Sequence, residues 1–352
     1  MTNQTPLRAA VIGAGYWGPN LARNFRNGPD WDLVAVCDLD AERAAKVVGG
    51  RSTVEVMTST TQLLARDDID AVAIATPAST HAHLALAALE AGKHVVVEKP
   101  IADSSRQARK MIERARELDR VLMVDHTFCY TAVVAKIRDM IAAGELGEIH
   151  FVDSVRINLG LVQADVDVFW DLAPHDLSIL DFILPGGLAP TGVSAFGADP
   201  IGSGQSCVGY LTLPLAGGTV AHIHVNWLSP TKIRQMVVGG SKRTLVWDDL
   251  NPQQRLTVYD RGIDLDKMVD GRQKVAANVS YRLGDAWAPA LPEREALGQM
   301  AAEFAASIRE HRPPRTDGEA GLRVLNVLEA AGRSLAGNSA LTPADSMAQV
   351  NV

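Results

Sequence analysis

Leu7-Arg8-Ala9-Ala10-Val11-Ile12-Gly13-Ala14-Gly15-Tyr16-Trp17-Gly18 is the stretch on which the reading of this chain turns. The apolar run Leu7–Ile12 has the length of a strand, and Trp17–Arg26 carries a helical pattern. Between them lies G-x-G-x-x-G, in which each glycine has a separate task. Gly13 makes the tight turn, Gly15 lets the backbone approach a pyrophosphate, and Gly18 lets helix and strand pack closely. The helix N-terminus then offers unpaired N–H groups to negative charge. Alone the motif is weak evidence, but its context strengthens it. Asp38 ends the second strand, Asp32–Cys37, where a carboxylate accepts hydrogen bonds from ribose hydroxyls and repels a 2′-phosphate. Leu39, Asp40 and Ala41 follow, and Arg43 is the nearest cation, so the pattern favours NAD over NADP. The competing role for Asp38 is a helix or turn cap.

Outward from this turn, short apolar runs alternate with helical patterns as far as residue 125. Ala71–Ala75, His94–Glu98 and Val121–Val124 read as strands; Ala41–Val48, His81–Ala91 and Ser104–Leu118 read as helices. Continuous rather than alternating apolar strands predict a parallel sheet covered on both faces. Beyond 125 the character changes. Helical stretches Ala132–Ala143 and Leu172–Leu184 flank a strand, Glu148–Asn158, and mostly strands follow from Thr191 to Tyr259. Within Thr219–Leu228, alternation puts His222, His224 and Asn226 on one face and Ala221, Ile223, Val225 and Trp227 on the other. The polar face reads as a solvated or interfacial surface ahead of a cavity wall. Two amphipathic helices, Glu293–Glu310 and Gly318–Leu335, end the pattern. The expectation is an α/β chain of two domains, 1–125 with a Rossmann sheet and 126–352 with a mostly antiparallel open sheet. Only the first six residues and the last ten or so read as irregular.

The 352 residues exceed the usual size of a single core. A net charge of −7 argues against a nucleic-acid partner, because phosphate backbones attract basic surfaces. Cys37, Cys129 and Cys207 lie far apart, without metal-ligand or disulfide spacing, and predict a reducing compartment. The other histidines make no zinc pattern, so no metal is expected. No signal-like segment and no apolar run of membrane-spanning length is present, which predicts a cytoplasmic protein without a membrane partner.

Two further motifs carry chemistry. Lys99 follows the strand His94–Glu98 and precedes Pro100, at the sheet end where ligands bind, and a lysine there can polarise a hydroxyl or carbonyl oxygen. Its bland alternative is a surface loop lysine. In Trp170-Asp171-Leu172-Ala173-Pro174-His175, Asp171 and His175 share a helix face. A carboxylate there can hold an imidazole's tautomer for general-base work. The alternative makes Asp171 an N-cap and His175 a packing residue.

In order and spacing, AVIGAGYWG, Val36-Cys37-Asp38, Ala75-Thr76-Pro77 with His81, Glu98-Lys99-Pro100, and Asp171 with His175 resemble the glucose-fructose oxidoreductase / inositol dehydrogenase / MocA family. The resemblance spans nearly the whole chain. It implies that Gly13, Gly15, Tyr16, Trp17, Gly18 and Asp38 bind NAD, with Thr76, Pro77 and His81 along the nicotinamide half and Glu98 near its ribose. It makes Lys99 and His175 a catalytic pair supported by Asp171, and turns Arg156, Asn158 and Trp170 towards substrate. It also implies dimers or tetramers formed through the open sheet. YWGPNLARNF, WDLAPHDLSIL and VAHIHVNWLSP look most like the nucleotide-sugar branch, whose members oxidise a sugar 3-hydroxyl, as UDP-N-acetylglucosamine 3-dehydrogenases do. Asp125 departs from the pattern: it stands before His126 where a small residue such as Gly is expected, and bears on sugar selectivity. Competing expectations are a cyclitol dehydrogenase, a nucleotide-sugar ketoreductase and a non-catalytic NAD-sensing protein.

Overall fold

The computed structural model describes residues 5–50, 52–160, 162–163, 166–265 and 279–344. Residues 1–4 and 345–352, within the terminal stretches read as irregular, lie outside the described residues. The first half of the chain runs β1 (Leu7–Ile12), α1 (Gly18–Asn27), β2 (Trp31–Cys37), α2 (Ala41–Val48), β3 (Glu55–Met57), α3 (Thr60–Leu64), β4 (Ala71–Ile74), α4 (Ala78–Glu90), β5 (His94–Glu98), α5 (Ser105–Glu117) and β6 (Leu122–Asp125). It continues with α6 (Ala132–Ala142), β7 (Ile149–Leu159), α7 (Val168–Ile183), β8 (Ser194–Ala198), β9 (Val208–Pro214), β10 (Val220–Asn226) and β11 (Leu228–Gly240). The last elements are β12 (Thr244–Asp248), β13 (Leu256–Leu265), β14 (Val279–Trp287), α8 (Ala296–Glu310) and α9 (Gly318–Ala336).

Two units divide these elements. The first comprises residues 1–132, 177–182 and 293–329; the second comprises 133–176, 183–292 and 330–352. In the first unit six strands form a parallel sheet in the order β3-β2-β1-β4-β5-β6. Strand β4 is buried throughout, as its unbroken apolar sequence requires of a sheet covered on both sides. Helix α8 covers part of it: the Trp31 indole donates to the Ala301 carbonyl at 2.8 Å. The Trp31 ring packs edge-on to Phe25 at 4.9 Å and stacked on Phe304 at 5.3 Å. The dihedral reversal after β1 puts the glycine turn at the carboxyl end of the sheet, with Asp38, Thr76 and Lys99 following the carboxyl ends of β2, β4 and β5.

The second unit holds an eight-stranded sheet in the order β14-β13-β12-β11-β7-β10-β9-β8, antiparallel except for the β10–β7 pair. The alternation read in β10 is realised: Ala221, Ile223, Val225 and Trp227 are buried, while His222, His224 and Asn226 are half-exposed. Glycines shape the covered face. A Cβ on Gly209 would lie 2.3 Å from the Phe169 ring, so the missing side chain is what seats the first turn of α7 on β9. The opposite face carries Phe196, 61% exposed, with Phe151, Tyr210 and Val220 each near 40%. Tyr210 and His224 stack there at 4.4 Å. Among the described residues no helix is long and apolar enough to cross a membrane.

Candidate active site

The glycine turn combines crowding with one opening. Gly13 has φ +100°, and a Cβ there would lie 2.5 Å from the Ala75 carbonyl oxygen. A Cβ on Gly18 would lie 2.0 Å from the Gly13 carbonyl oxygen, whereas one on Gly15 would meet nothing within 4 Å. Two glycines therefore close the turn and the third leaves its backbone open to a neighbour, which fits the pyrophosphate of a dinucleotide. Asp38 stands beside this opening: its Oδ2 accepts from the Ala14 N–H at 2.7 Å and its Oδ1 from the Asp40 N–H at 2.9 Å. The cap of α2 is Asp40, which accepts from the Glu42 and Arg43 N–H groups, so Asp38 is not the helix cap, while its bond to the Asp40 N–H is that of a turn cap. The Arg43 guanidinium lies 3.6 Å from the Asp38 carboxylate. Tyr16, 91% exposed, projects from the turn, while Trp17 turns inward.

On the other side of β1, Thr76 and Pro77 follow β4, and Lys99 follows β5 across a cis peptide bond to Pro100. His81 is buried and braces both loops. Its Nδ1 lies 2.8 Å from the Pro100 carbonyl oxygen and its Nε2 2.8 Å from that of Thr76. Burial, the larger effect, lowers the ring's pKa against the opposing pull of the two carbonyls; carbonyls only accept, so a neutral ring donates its one N–H to one of them. His81 thus serves the site through the loops it ties, at the two points where the chain leaves β4 and Lys99.

Glu98 and Asp125 are register partners at the ends of β5 and β6. Asp125 is buried, and its two oxygens accept from the Trp17 Nε1–H at 2.9 Å and the Thr127 hydroxyl at 2.7 Å. Glu98 Oε2 accepts the Lys99 N–H at 3.1 Å, while Oε1 is buried and meets no donor. Burial, then the neighbouring Asp125, hold the Glu98 carboxyl well above the usual carboxylate range. His126 follows, buried with neither ring nitrogen hydrogen-bonded, and burial drives its pKa to about 4, so it is neutral.

In the second unit, α7 is capped by Asp167, whose Oδ1 accepts the Trp170 N–H at 3.0 Å. The capping alternative for Asp171 therefore falls too: it lies inside the helix, and its Oδ2 accepts the Nε1–H of buried Trp227 at 3.0 Å. Asp171 and His175 are four apart on one helix face. Next to His175, Asp176 is buried and held bidentately by Arg156, Nε to Oδ2 at 2.8 Å and Nη2 to Oδ1 at 3.0 Å, with Ser154 donating at 2.8 Å. Arg156 is thus 3% exposed and pins the His175 segment to β7, while Asn158 and Trp170 are half-buried. Sequence reasoning passed over the Trp17–Asp125 and Trp227–Asp171 links and the roles of Asp176 and His126. A buried tryptophan, whose N–H needs an acceptor, is the signal that points to the first two.

Residues 7–126 match the oxidoreductase family with an NAD-binding Rossmann fold, and residues 134–246 match the GFO/IDH/MocA C-terminal domain. This chain belongs to the GFO/IDH/MocA family. As a member it is an NAD-binding oxidoreductase. The family member is 30% identical to the UDP-N-acetylglucosamine 3-dehydrogenase of Acidithiobacillus ferrooxidans over 91% of this chain and 94% of that protein. It is 38% identical to the inositol 2-dehydrogenase of Rubrobacter xylanophilus over 40% of this chain and 41% of that one. The solved structure of the Acidithiobacillus ferrooxidans enzyme superposes with a TM-score of 0.79 at 28% identity, covering 95% of this chain and 99% of that one.

Proposed function

We propose that this family member oxidises a ring hydroxyl of a nucleotide-linked sugar to a ketone, at C3, with UDP-N-acetylglucosamine as the first substrate to try. NAD, when bound, accepts the hydride from the carbinol carbon. Residues 1–125 serve the cofactor, with Gly13, Gly15, Tyr16, Trp17, Gly18 and Asp38 on its adenosine and pyrophosphate, and Thr76, Pro77, His81 and Glu98 on the nicotinamide half. Residues 126–352 serve the substrate, through Asn158 and Trp170, with Arg156 acting indirectly by holding Asp176 beside His175. His175 takes the hydroxyl proton, Asp171 holds its tautomer, and the Lys99 ammonium orients the hydroxyl oxygen and stabilises its growing negative charge.

The observation that carries this reading is the Trp227–Asp171 bond. It fixes a carboxylate inside α7 one turn before a histidine, on the helix face from which it can hold the imidazole's tautomer. The likeness to a UDP-N-acetylglucosamine 3-dehydrogenase along nearly the full chain supports the choice of sugar. The exposed apolar face of the second sheet, with Phe151, Phe196 and Tyr210, supports assembly into dimers or tetramers through that face. A panel of UDP-sugars, inositols and keto-sugars, read by NADH absorbance, tests the reaction. NADH from UDP-N-acetylglucosamine supports it, turnover of inositol alone replaces the substrate, and inertness towards every member overturns catalysis in favour of NAD sensing.

A further inference from the structure

Strand order dictates where the parts of NAD go. Asp38, on β2, lies to one side of the glycine turn at the end of β1, and β4 and β5 lie to the other. With the ribose of adenosine at Asp38 and the pyrophosphate at Gly15, the nicotinamide half runs towards the ends of β4 and β5. That is where Glu98 stands, one strand from Asp125.

The two carboxyl groups there lack a donor between them. Asp125 already accepts from Trp17 and Thr127, one at each oxygen, and Glu98 accepts a single N–H while its Oε1 is buried without one. Among the described residues, Asp125 acts on the Cys129 thiol. Lys99 acts on Glu98 from the same strand end, and His126, next to Asp125, is neutral. Asp181 acts on His126. Two adjacent carboxyl groups cannot both ionise readily, and one proton between them supplies the missing donor.

We propose that Glu98 and Asp125 hold one proton between them in the cofactor-free protein, release it to solvent when NAD⁺ binds, and keep it when NADH binds. The two cofactor forms differ in the charge of the nicotinamide ring. A positive charge near a carboxyl group lowers its pKa by about 1–3 units, and the neutral dihydronicotinamide exerts no such pull. The carboxyl pair thereby carries two negative charges against the cation and one against the neutral ring, which favours the oxidised cofactor in a dehydrogenase. In this step the O–H bond of the carboxyl pair breaks, its electron pair stays on the carboxylate oxygen, and the proton goes to solvent.

This inference rests on NAD binding alone, not on the identity of the sugar or on the role of Lys99. Titration calorimetry of the full chain with NAD⁺ and with NADH, in buffers of different ionisation enthalpy near neutral pH, counts the protons directly. We expect about one proton released per chain with NAD⁺ and close to none with NADH. Glu98→Gln should bring the NAD⁺ count close to zero, whereas Asp125→Asn, which leaves the burial of Glu98 in place, should change it less. Difference infrared spectra of the unsubstituted protein give a second readout, in which NAD⁺ and not NADH bleaches a protonated-carboxyl carbonyl band. Equal proton counts for the two cofactor forms, release that survives in Glu98→Gln, or no bleached carboxyl band would each overturn the proposal. An inert sugar panel leaves it standing, and a zero proton count leaves the sugar chemistry standing.

Discussion

The two sheets of this chain are covered differently, and the difference governs where each offers chemistry. Parallel strands in the first unit are packed on both faces, so β4 is buried from end to end and function is confined to the carboxyl ends. There Asp38, the glycine turn, Thr76, and Glu98 with Lys99 follow one another along the strand order β2-β1-β4-β5. The second sheet alternates: its covered face seats α7 with Asp171 and His175, and its other face leaves Phe196 61% exposed. A doubly covered sheet has only its ends to use, whereas a singly covered one has a helix on one side and an unpartnered surface on the other.

The sharpest way to break that contrast is at an end of the first sheet. Lys99→Ala should lower kcat by about 10²–10³-fold while NAD affinity, followed by fluorescence titration, stays within a few fold. Parallel loss of NAD affinity would move Lys99 from chemistry to cofactor binding. A second test concerns how thoroughly those ends are buried. His126 has a pKa of about 4 in the folded chain against about 6.5 unfolded, so between those values the unfolded state binds more protons. Stability should therefore be full above pH about 6.5 and fall by roughly 3 kcal/mol as pH drops towards 4. Thermal melts of His126→Gln should show a flatter slope across that window, and an unchanged slope would mean that other groups set it.

Smaller effects sharpen the comparison further. At Gly18→Ala the new Cβ meets the Gly13 carbonyl, and overpacking of this kind costs about 1–3 kcal/mol. We expect the melting temperature and NAD affinity to fall together; a variant that binds NAD normally would show that the turn can yield. Asp38→Ala should reduce the preference for NAD over NADP by about tenfold or more, since the repelling carboxylate goes and Arg43, now 3.6 Å from it, is left to meet a 2′-phosphate. Ratios of kcat/KM for the two cofactors measure this. The smallest change in unit stability belongs to the open face. Phe196→Asp should shift sedimentation towards monomer while altering the melting of the chain's own core by no more than about 0.5 kcal/mol.

Much of this contrast is legible in the residues themselves, and the reasons are local. Gly13, Gly15, Gly18 and Asp38 stand within one βαβ unit, so spacing reveals them. The buried-exposed alternation of β10 follows from a two-residue period that any strand obeys. Short or polar elements escaped: β3 has three residues, all at least half-exposed, and β14, Val279–Trp287, carries Arg282 and Asp285 at the sheet edge. Helix α7 begins earlier than periodicity placed it because Asp167, not Asp171, caps it. The site's supporting contacts were hidden for another reason. Trp17 reaches Asp125 across 108 positions, Trp227 reaches Asp171 across 56, and Glu98 meets Asp125 through strand register. Such partners are fixed by topology, which no local pattern encodes.

One measurement bears most directly on the claim that this chain moves a hydride from a sugar carbinol to NAD. UDP-N-acetylglucosamine carrying deuterium at C3 is incubated with the protein and NAD⁺, and the nicotinamide is examined by NMR. We expect deuterium at C4 of the reduced ring, formed more slowly than hydrogen from the unlabelled sugar. Reduced cofactor without deuterium would place the oxidised carbon elsewhere, and bound NAD⁺ that stays oxidised with this sugar would contradict the assignment outright.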